Sequence, residues 1–490
     1  MMSTFRISLA SATLLLLAGC SFVPFYEPPT VQAPAFKEAP QQIAADQRWT
    51  VARPSEETAR GEWWKVFADP ALDGLEAQAM QANWDLKAAA ARLRQARALR
   101  GVARSEQFPT LDAGFGPTYQ RRSPDSQNLS AGAHNEGQTL WRAQAGVGYE
   151  ADLFGRVDAS EQAATAGAQQ SQTLFQSLRL ALQADVAQVY FLIRELDAEA
   201  ELYRDTLALR DDSLRLIERR YNEGYISEMD VARARTELAV AQSEALAIAR
   251  RRASAEHALA VLLGKAPAEF AFAPSPLAPV AIYVPPGLPS SLLERRPDVA
   301  AAERAMAAAN ARVGVARAAF FPRLNITGSI GTEASQVGEL FDWSSRTFLL
   351  GPIAGTILSL PIFDGGRRDA DLERARAAYE EDVAAYRQTV LTAFREVEDN
   401  LASVRILADQ AVAQGQAVAA AQRAANLSRI QYDAGSVNYL DVMDADRSVL
   451  AQRRAEVQLA GERARSSVGL IRALGGGWET SSGELASAAP

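Results

Sequence analysis

The chain is poor in the side chains that carry most enzyme chemistry. Its 490 residues include one cysteine, two histidines and six methionines. A single cysteine cannot form a disulfide within the chain, and no zinc-ligand spacing, Gly-x-Ser-x-Gly elbow or phosphate-binding loop occurs. His134 lies in a predicted polar loop and His257 in a predicted helix, where surface or packing roles are the simpler explanation. An enzyme is therefore the least favoured of the functions considered.

Excess positive charge and long apolar runs are also missing. The formal net charge is −8, which argues against nucleic acid as a partner because phosphate binding needs a basic surface. Beyond the N-terminal region no run of about 18 apolar residues occurs, so the sequence predicts no transmembrane helix. A closed β-barrel remains a possible way to cross a bilayer.

The N-terminus predicts a secretion signal over residues 1–19. Arg6 supplies its positive charge, and a short apolar region ends in Leu17-Ala18-Gly19-Cys20, which resembles a bacterial lipoprotein box. Cys20 is then the acylated first residue of the mature protein, with an S-diacylglycerol group and an N-acyl chain such as palmitate. A buried structural thiol is the alternative. Ser21, which is not acidic, favours sorting to the outer membrane, and we predict no other cofactor.

The strongest positive feature is a duplication within the chain. The segment 221–231, which contains Tyr-x-x-Gly and an aspartate, reappears 211 residues later as 432–442. Upstream, 101–111 reappears as 314–324 at an offset of 213. So many matched spacings indicate an internal two-fold sequence repeat.

Each repeat contains a segment with the two-residue period of a β-strand. The patterns predict hairpins at 110–150 and 324–360, with polar loops at 121–138 and 331–345. The strands reach the ~9–11 residues that a tilted membrane strand needs. A soluble hairpin with one wet face is the alternative for either hairpin alone. Two related hairpins behind a lipoprotein signal favour the membrane interpretation.

Long helical patterns follow each hairpin. Apolar residues at steps of three and four predict helices of about 65 residues at 157–222 and 369–433, each near 100 Å long. Returning helices are predicted at 230–262 and 441–473, and an earlier helix at 69–107 ends at Phe108-Pro109.

The turns between the paired helices contain the repeated motif. Gly224 and Gly435 fit helix C-cap positions that need a left-handed backbone. Asp230 and Asp441 fall near the start of the returning helices, where the helix dipole favours a negative charge. Simple capping is the alternative role for both aspartates.

These patterns divide the chain into six segments. They are a signal peptide (1–19), an acylated extended segment (20–60), repeat 1 (61–264), a Pro-rich link (265–297), repeat 2 (298–475) and a disordered tail (476–490).

One chain supplies too few strands for a membrane barrel. Four strands would leave open edges in lipid, so chains must combine into eight or twelve strands. Eight strands leave an interior that side chains nearly fill, whereas more strands open a channel. A channel therefore favours a homotrimer.

Several motifs together resemble the TolC-like outer-membrane efflux proteins, in the lipoprotein branch that serves RND-type tripartite pumps. They are Gly61-Glu62-Trp63-Trp64 with Phe67 and Asp69-Pro70, Glu150 to Arg156, Pro286 to Pro289, Leu293 to Asp298, and Tyr432 to Asp446. The resemblance implies a mixed membrane protein: a trimeric 12-stranded outer-membrane β-barrel, continued by a periplasmic α-helical coiled-coil barrel with a mixed α/β equatorial region. It further implies a passive efflux duct for drugs, anchored by lipid in the Gram-negative outer membrane and supplied by a periplasmic adaptor and an inner-membrane RND pump.

The resemblance also implies a gate at the repeated turns, closed at rest and opening as an iris. The second turn would form the constriction and the first would assist; the residues are Leu440, Asp441, Asp444 and Arg447 with Tyr432, and then Tyr221 and Asp230. A threefold axis would turn each aspartate into a ring of carboxylates that favours cations. Arg447 is spaced to pair with Asp444 of the same helix, and pairing across chains is the alternative. A basic residue, present in some relatives at the position of Val437, is absent here, which argues against an ion pair between subunits at that point.

The class of protein and its cargo both stay open at this level. After an enzyme, the second alternative to an efflux channel is a structural or adhesive coiled-coil lipoprotein, although it would not need strands of membrane length. The cargo could be drugs, other organic compounds or metal ions. The scarcity of methionine and histidine argues only weakly against a soft-metal path, because the pump sets specificity.

Overall fold

We analysed a computed structural model, which describes residues 24–27, 29, 36–38, 52–54, 62–121, 123, 130, 136–278, 296–350, 357–476 and 478–480. The predicted signal peptide, Cys20 and His134 lie outside the described residues, as does most of the predicted Pro-rich link. The chain forms two compact units. The first holds the described residues within 1–30, 92–172 and 301–386, and the second those within 31–91, 173–300 and 387–490.

Seven α-helices are present in the described part of the chain. They are α1 (Pro70–Ala82), α2 (Trp84–Ser105), α3 (Arg156–Asn222), α4 (Glu228–Leu262), α5 (Pro297–Ala318), α6 (Arg367–Asp433) and α7 (Tyr439–Ala473). The two long helices and the two returning helices are confirmed, each beginning one or two residues before its predicted start. None of these helices combines the length and the apolar character needed to span a bilayer.

The predicted helix over 69–107 is wrong in one respect, because it is broken at Asn83. Asn83 has an extended backbone with ψ 131°. Its side-chain oxygen accepts a hydrogen bond from the Leu86 amide at 2.9 Å, and its amide group donates to the Leu262 carbonyl at 2.9 Å. Asn83 thus caps the start of α2 and ties it to the end of α4. Helical periodicity continues through the break, which is why the sequence pattern does not show it.

The first unit contains one antiparallel sheet. Its strands are β1 (Thr110–Gln120), β2 (Gln138–Ala151), β3 (Arg323–Ala334), β4 (Arg346–Leu350) and β5 (Leu358–Ser359). They are hydrogen-bonded in the order β1-β2-β3-β4, and β5 also pairs with β3. The first predicted hairpin is confirmed. Apolar side chains on several strands are exposed, among them Leu111, Phe115, Ile330 and Phe348.

The second predicted hairpin needs a correction at its loop. The polar loop was expected to start at Gly331, but β3 continues to Ala334. The reason is pairing, since Gly331 to Ala334 lie opposite Gln144 to Trp141 of β2. A neighbouring strand that already offers backbone partners favours extension of the ladder over a loop. Residues 351–356 of the last predicted strand lie outside the described part.

The core of the second unit joins the ends of several helices. Trp63 and Trp64, in a 3₁₀-helix over Trp63–Phe67, are both buried, and the Trp63 indole donates to Gln183 at 3.0 Å. Apolar side chains from α1, α3, α4 and α7 complete this cluster; fully buried examples are Leu72, Ile193, Leu259 and Ile471. A short pair of strands, Ala52–Pro54 with Trp478–Thr480, also belongs to this unit.

Glu76 in α1 is a buried carboxyl group, and neither oxygen has a hydrogen-bond partner among the described residues. Burial raises its pKa to about 9. A raised carboxyl pKa gives stability that is complete below the unfolded value of about 4.3 and is lost as pH rises through the folded value. Because of Glu76, we therefore expect the melting temperature of the wild-type protein to decrease as the pH rises from about 5 to about 9. Glu76→Gln should flatten that dependence, whereas the exposed control Glu373→Gln should not. An unchanged pH profile in Glu76→Gln would contradict this assignment.

Candidate functional site

The two repeated turns lie in the second unit and share one backbone geometry. Gly224 and Gly435 have φ values of +83° and +70°. The amide after each glycine donates to a carbonyl five residues earlier, from Tyr225 to Arg220 and from Ser436 to Gln431, both at 2.9 Å. Apart from the glycine and its chain neighbours, no heavy atom of the described residues lies within 4 Å of a Cβ built on either glycine. The left-handed backbone, rather than crowding, therefore accounts for glycine at these helix ends.

The returning helices begin differently in the two turns. In α7 the Asn438 side chain accepts from the Asp441 amide at 3.2 Å, and the Asp441 carboxylate accepts from the Asn438 amide at 3.2 Å. This reciprocal capping box gives Asp441 a structural role at the helix start. In α4 the Ser227 hydroxyl donates to Asp230 at 3.0 Å, and Ser227 makes no side-chain bond to the backbone.

Arg447 links α7 to α4 at the level of the second turn. It donates to Asp444 at 2.7 Å, so the predicted pairing of these two residues is present. It also donates to Glu237 of α4 at 2.9 Å, and Arg210 of α3 binds the same carboxylate at 2.9 Å. The pKa of Arg447 is raised, and the hydrogen bond to Glu237 is the largest cause. Glu237 and Arg210 were missed by the sequence analysis, because neither belongs to the repeated motif.

Tyr432 joins the second turn to the end of α3. Its hydroxyl accepts from Arg220 at 2.8 Å, and the Arg220 guanidinium lies 5.2 Å from its ring centroid. Its ring also packs near Tyr439, with centroids 5.8 Å apart. Tyr439 in turn packs against the small buried cluster of Ile217, Val231 and Ala234 beneath the first turn. Burial raises the pKa of Tyr439.

The remaining predicted site residues are placed near these contacts with varied exposure. Leu440 and Asp230 are half-buried, whereas Asp441, Asp444 and Tyr221 are exposed. Asp230 lies 3.8 Å from Arg233 of its own helix. Within the described residues no group of three or more histidine, cysteine or carboxylate side chains could hold a metal ion. The arrangement thus offers exposed carboxylates and interhelical ion pairs.

The described residues thus form long paired helices, a sheet with exposed apolar side chains and charged turns. The family follows from sequence comparison. A sequence model of the outer membrane efflux protein family matches residues 75–265 and 288–476. The chain belongs to this family, and the resemblance inferred from its motifs is confirmed.

Characterised relatives and solved structures agree with that assignment. The chain is 37% identical to the solvent efflux pump outer membrane protein SrpC of Pseudomonas putida over 478 residues, which is 97% of this chain and 99% of the relative. It is 36% identical to the outer membrane protein OprJ of Pseudomonas aeruginosa, covering 95% and 94% of the two chains. The outer-membrane channel OprN superposes with a TM-score of 0.84 at 29% identity, over 94% of this chain and 99% of OprN. The Campylobacter jejuni CmeC channel shares the fold, with a TM-score of 0.85 at 23% identity over 94% and 96%.

These findings fix the coarse function. The protein is an efflux channel component of the outer membrane that works with a pump, and it is not an enzyme.

Proposed function

We propose that three copies of this chain form a passive exit duct of a tripartite efflux system. Each copy would contribute four strands to a 12-stranded barrel. The observation that carries this proposal is the open sheet β1-β2-β3-β4, whose outer strands have unpaired edges among the described residues. Unpaired backbone groups are very costly in lipid, so the edges require partners from other copies. The exposed apolar side chains of these strands suit contact with lipid.

An internal repeat would suit the proposed trimer. The family model matches the chain in two consecutive segments, and in each of them strands are followed by a long helix and a returning helix. Three such chains give six similar units around one axis. The helices would then continue the duct as a periplasmic barrel that meets the adaptor and an inner-membrane RND pump.

The repeated turns would form a gate that is closed at rest. Exposed Asp441 and Asp444 would become rings of three carboxylates on the threefold axis and favour cations. Leu440 would narrow the opening, while Arg447 and Tyr432 hold α7 and α6 against α4 and α3. Tyr221 and Asp230 would line the secondary ring from the first turn.

Apolar organic molecules are the cargo that the comparisons favour. Relatives named for solvent and toluene efflux cover nearly the whole chain, and the described residues contain no metal-binding cluster. Acylation of Cys20 would hold the protein at the inner surface of the outer membrane.

Deletion of the protein from its host tests the proposal directly. We expect increased susceptibility to organic solvents, dyes and several antibiotics, with copper and silver tolerance unchanged. The purified protein should have the mass of three acylated chains and should co-purify with its adaptor. Increased sensitivity to metals alone would contradict the cargo assignment, and a dimeric mass would contradict the 12-stranded barrel.

A further inference from the structure

Two ion pairs connect the returning helices in a common register. Arg447 of α7 bonds to Glu237 of α4, and Arg454 bonds to Glu244 at 3.2 Å. Both pairs join residues 210 positions apart, and the pairs are seven residues apart on each helix. A seven-residue spacing returns to the same helix face, so α4 and α7 run in parallel with matched faces. The sequence continues this spacing to Gly461 on α7, where no long side chain is present.

The two pairs differ in their surroundings. Arg447 is 48% exposed and bonds to an exposed aspartate as well as Glu237. Arg454 also lies 3.6 Å from Glu199 of α3, whose side chain is 0% exposed. Beside this ion pair, Glu199 accepts hydrogen bonds from Arg251 of α4 at 3.0 Å and from Gln458 of α7 at 2.8 Å. One buried carboxylate therefore joins three helices.

A second contact lies one helical turn away on α3. Glu195 is buried and pairs with Arg465 of α7. A Cβ built on Gly461 would lie 2.0 Å from the Glu195 carboxylate oxygen. Glycine at 461 therefore lets the α7 backbone approach this carboxylate, in a helix interior where glycine is otherwise unfavourable.

From these contacts we infer that Glu199 and Glu195 are positioning residues that set the hinge of the gate. An ion pair with an exposed arginine contributes little to stability, and the Glu237 carboxylate, which is 12% exposed, keeps Arg210 as a partner when Arg447 leaves. A fully buried carboxylate such as Glu199 that loses its partners is strongly unfavourable. When the gate opens, α7 therefore separates from α4 at Arg447, and this separation ends at Arg454 and Gln458. The moving part is Tyr439 to Arg453, a lever of about 22 Å at 1.5 Å per residue. This inference rests on the proposed gate at the repeated turns.

Hydrogen exchange of the acylated trimer, followed by mass spectrometry, tests the hinge. In the wild-type protein we expect backbone amides of 439–453 to exchange about tenfold faster than those of 459–473. Glu199→Gln should raise exchange in 454–465 about tenfold, because the neutral amide no longer holds Arg454 and Arg251. The matched control Glu244→Gln removes the exposed partner of the same arginine and should change exchange in 454–465 less than about threefold.

The hinge would be overturned by uniform exchange along α7 in the wild-type protein, or by equal effects of the two variants. If Glu199→Gln does not assemble, Gln458→Ala removes one of the two hydrogen-bond donors to Glu199 among the described residues and should still raise exchange in 454–465 measurably. No change there would also overturn the hinge. Conductance of the wild-type protein in planar bilayers is measured separately. A protein without conductance but with the expected exchange boundary would refute the duct and leave the hinge standing.

Discussion

Asp441→Ala combined with Asp444→Ala is expected to raise the ratio of open to closed channels in planar bilayers about tenfold, corresponding to ~1.4 kcal/mol in favour of the open state, so that the time-averaged conductance increases. Asp441 closes the capping box at the start of α7, and loss of such a cap costs about 1 kcal/mol. Asp444 is one of the two partners of Arg447. The double variant therefore loosens the second turn at two points. It also removes two proposed carboxylate rings, so block by multivalent cations should weaken.

Control variants separate the capping role of Asp441 from its charge. Asp441→Glu keeps a carboxylate at the position where a capping box favours glutamate, and conductance should stay near the wild-type value. Asp230→Ala alters the first turn, where Ser227 makes no capping bond to the backbone. Its effect should be below about twofold, since it removes only local contacts. Unchanged conductance and unchanged block in the double variant would remove Asp441 and Asp444 from the gate.

Most of the secondary structure could be predicted because it depends on local periodicity. The helix stripe through Val186, Ile193 and Leu196 is buried in α3, as its spacing indicates. Gly435 ends α6 with a positive φ because the left-handed backbone is itself a local requirement. Alternation likewise located β1 and β2, whose side-chain period is two.

Features that depend on distant partners could not be predicted in the same way. The break at Asn83 rests on a bond to Leu262, 179 residues away. The end of β3 at Ala334 depends on its pairing with β2. The pairing of Glu237 with Arg447 depends on α4 and α7 lying side by side, which the sequence does not show. A sequence period specifies a helix face, but not which helix it meets.

Arg296 shows how a recognised motif acquires a physical role from the structure. The run Leu293 to Asp298 contributes to the family resemblance, but its pattern does not indicate a role for its arginines. In the structure Arg296 is buried just before α5, and its guanidinium donates to Asp298 and to Glu396 of α6, both at 2.7 Å. It also donates to the Ala473 carbonyl at the end of α7, at 2.9 Å. One side chain therefore joins α5, α6 and α7.

Arg296→Met is accordingly expected to destabilise the protein by about 1–3 kcal/mol, because it leaves the buried Ala473 carbonyl and the partly exposed carboxylates of Asp298 and Glu396 without this donor. The apparent melting temperature of the trimer, followed by intrinsic tryptophan fluorescence, should fall by roughly 5 °C. Burial acts to raise the pKa of Asp298, but the Arg296 guanidinium outweighs it and holds that pKa below its usual value. Stabilisation from a lowered carboxyl pKa is present above the unfolded pKa and is lost as pH falls. The difference in melting temperature between the wild-type and Arg296→Met proteins should therefore become smaller as the pH falls.

Arg374→Met is the matched control for this prediction. Arg374 pairs with Asp371 of its own helix at 3.2 Å and is 80% exposed. An exposed ion pair within one helix contributes little to stability. This variant should therefore have the melting temperature of the wild-type protein at every pH. If Arg296→Met also has the melting temperature of the wild-type protein, the guanidinium does not hold the three helices together. If both variants lose stability equally, loss of positive charge in general would explain the effect better than the buried contacts of Arg296.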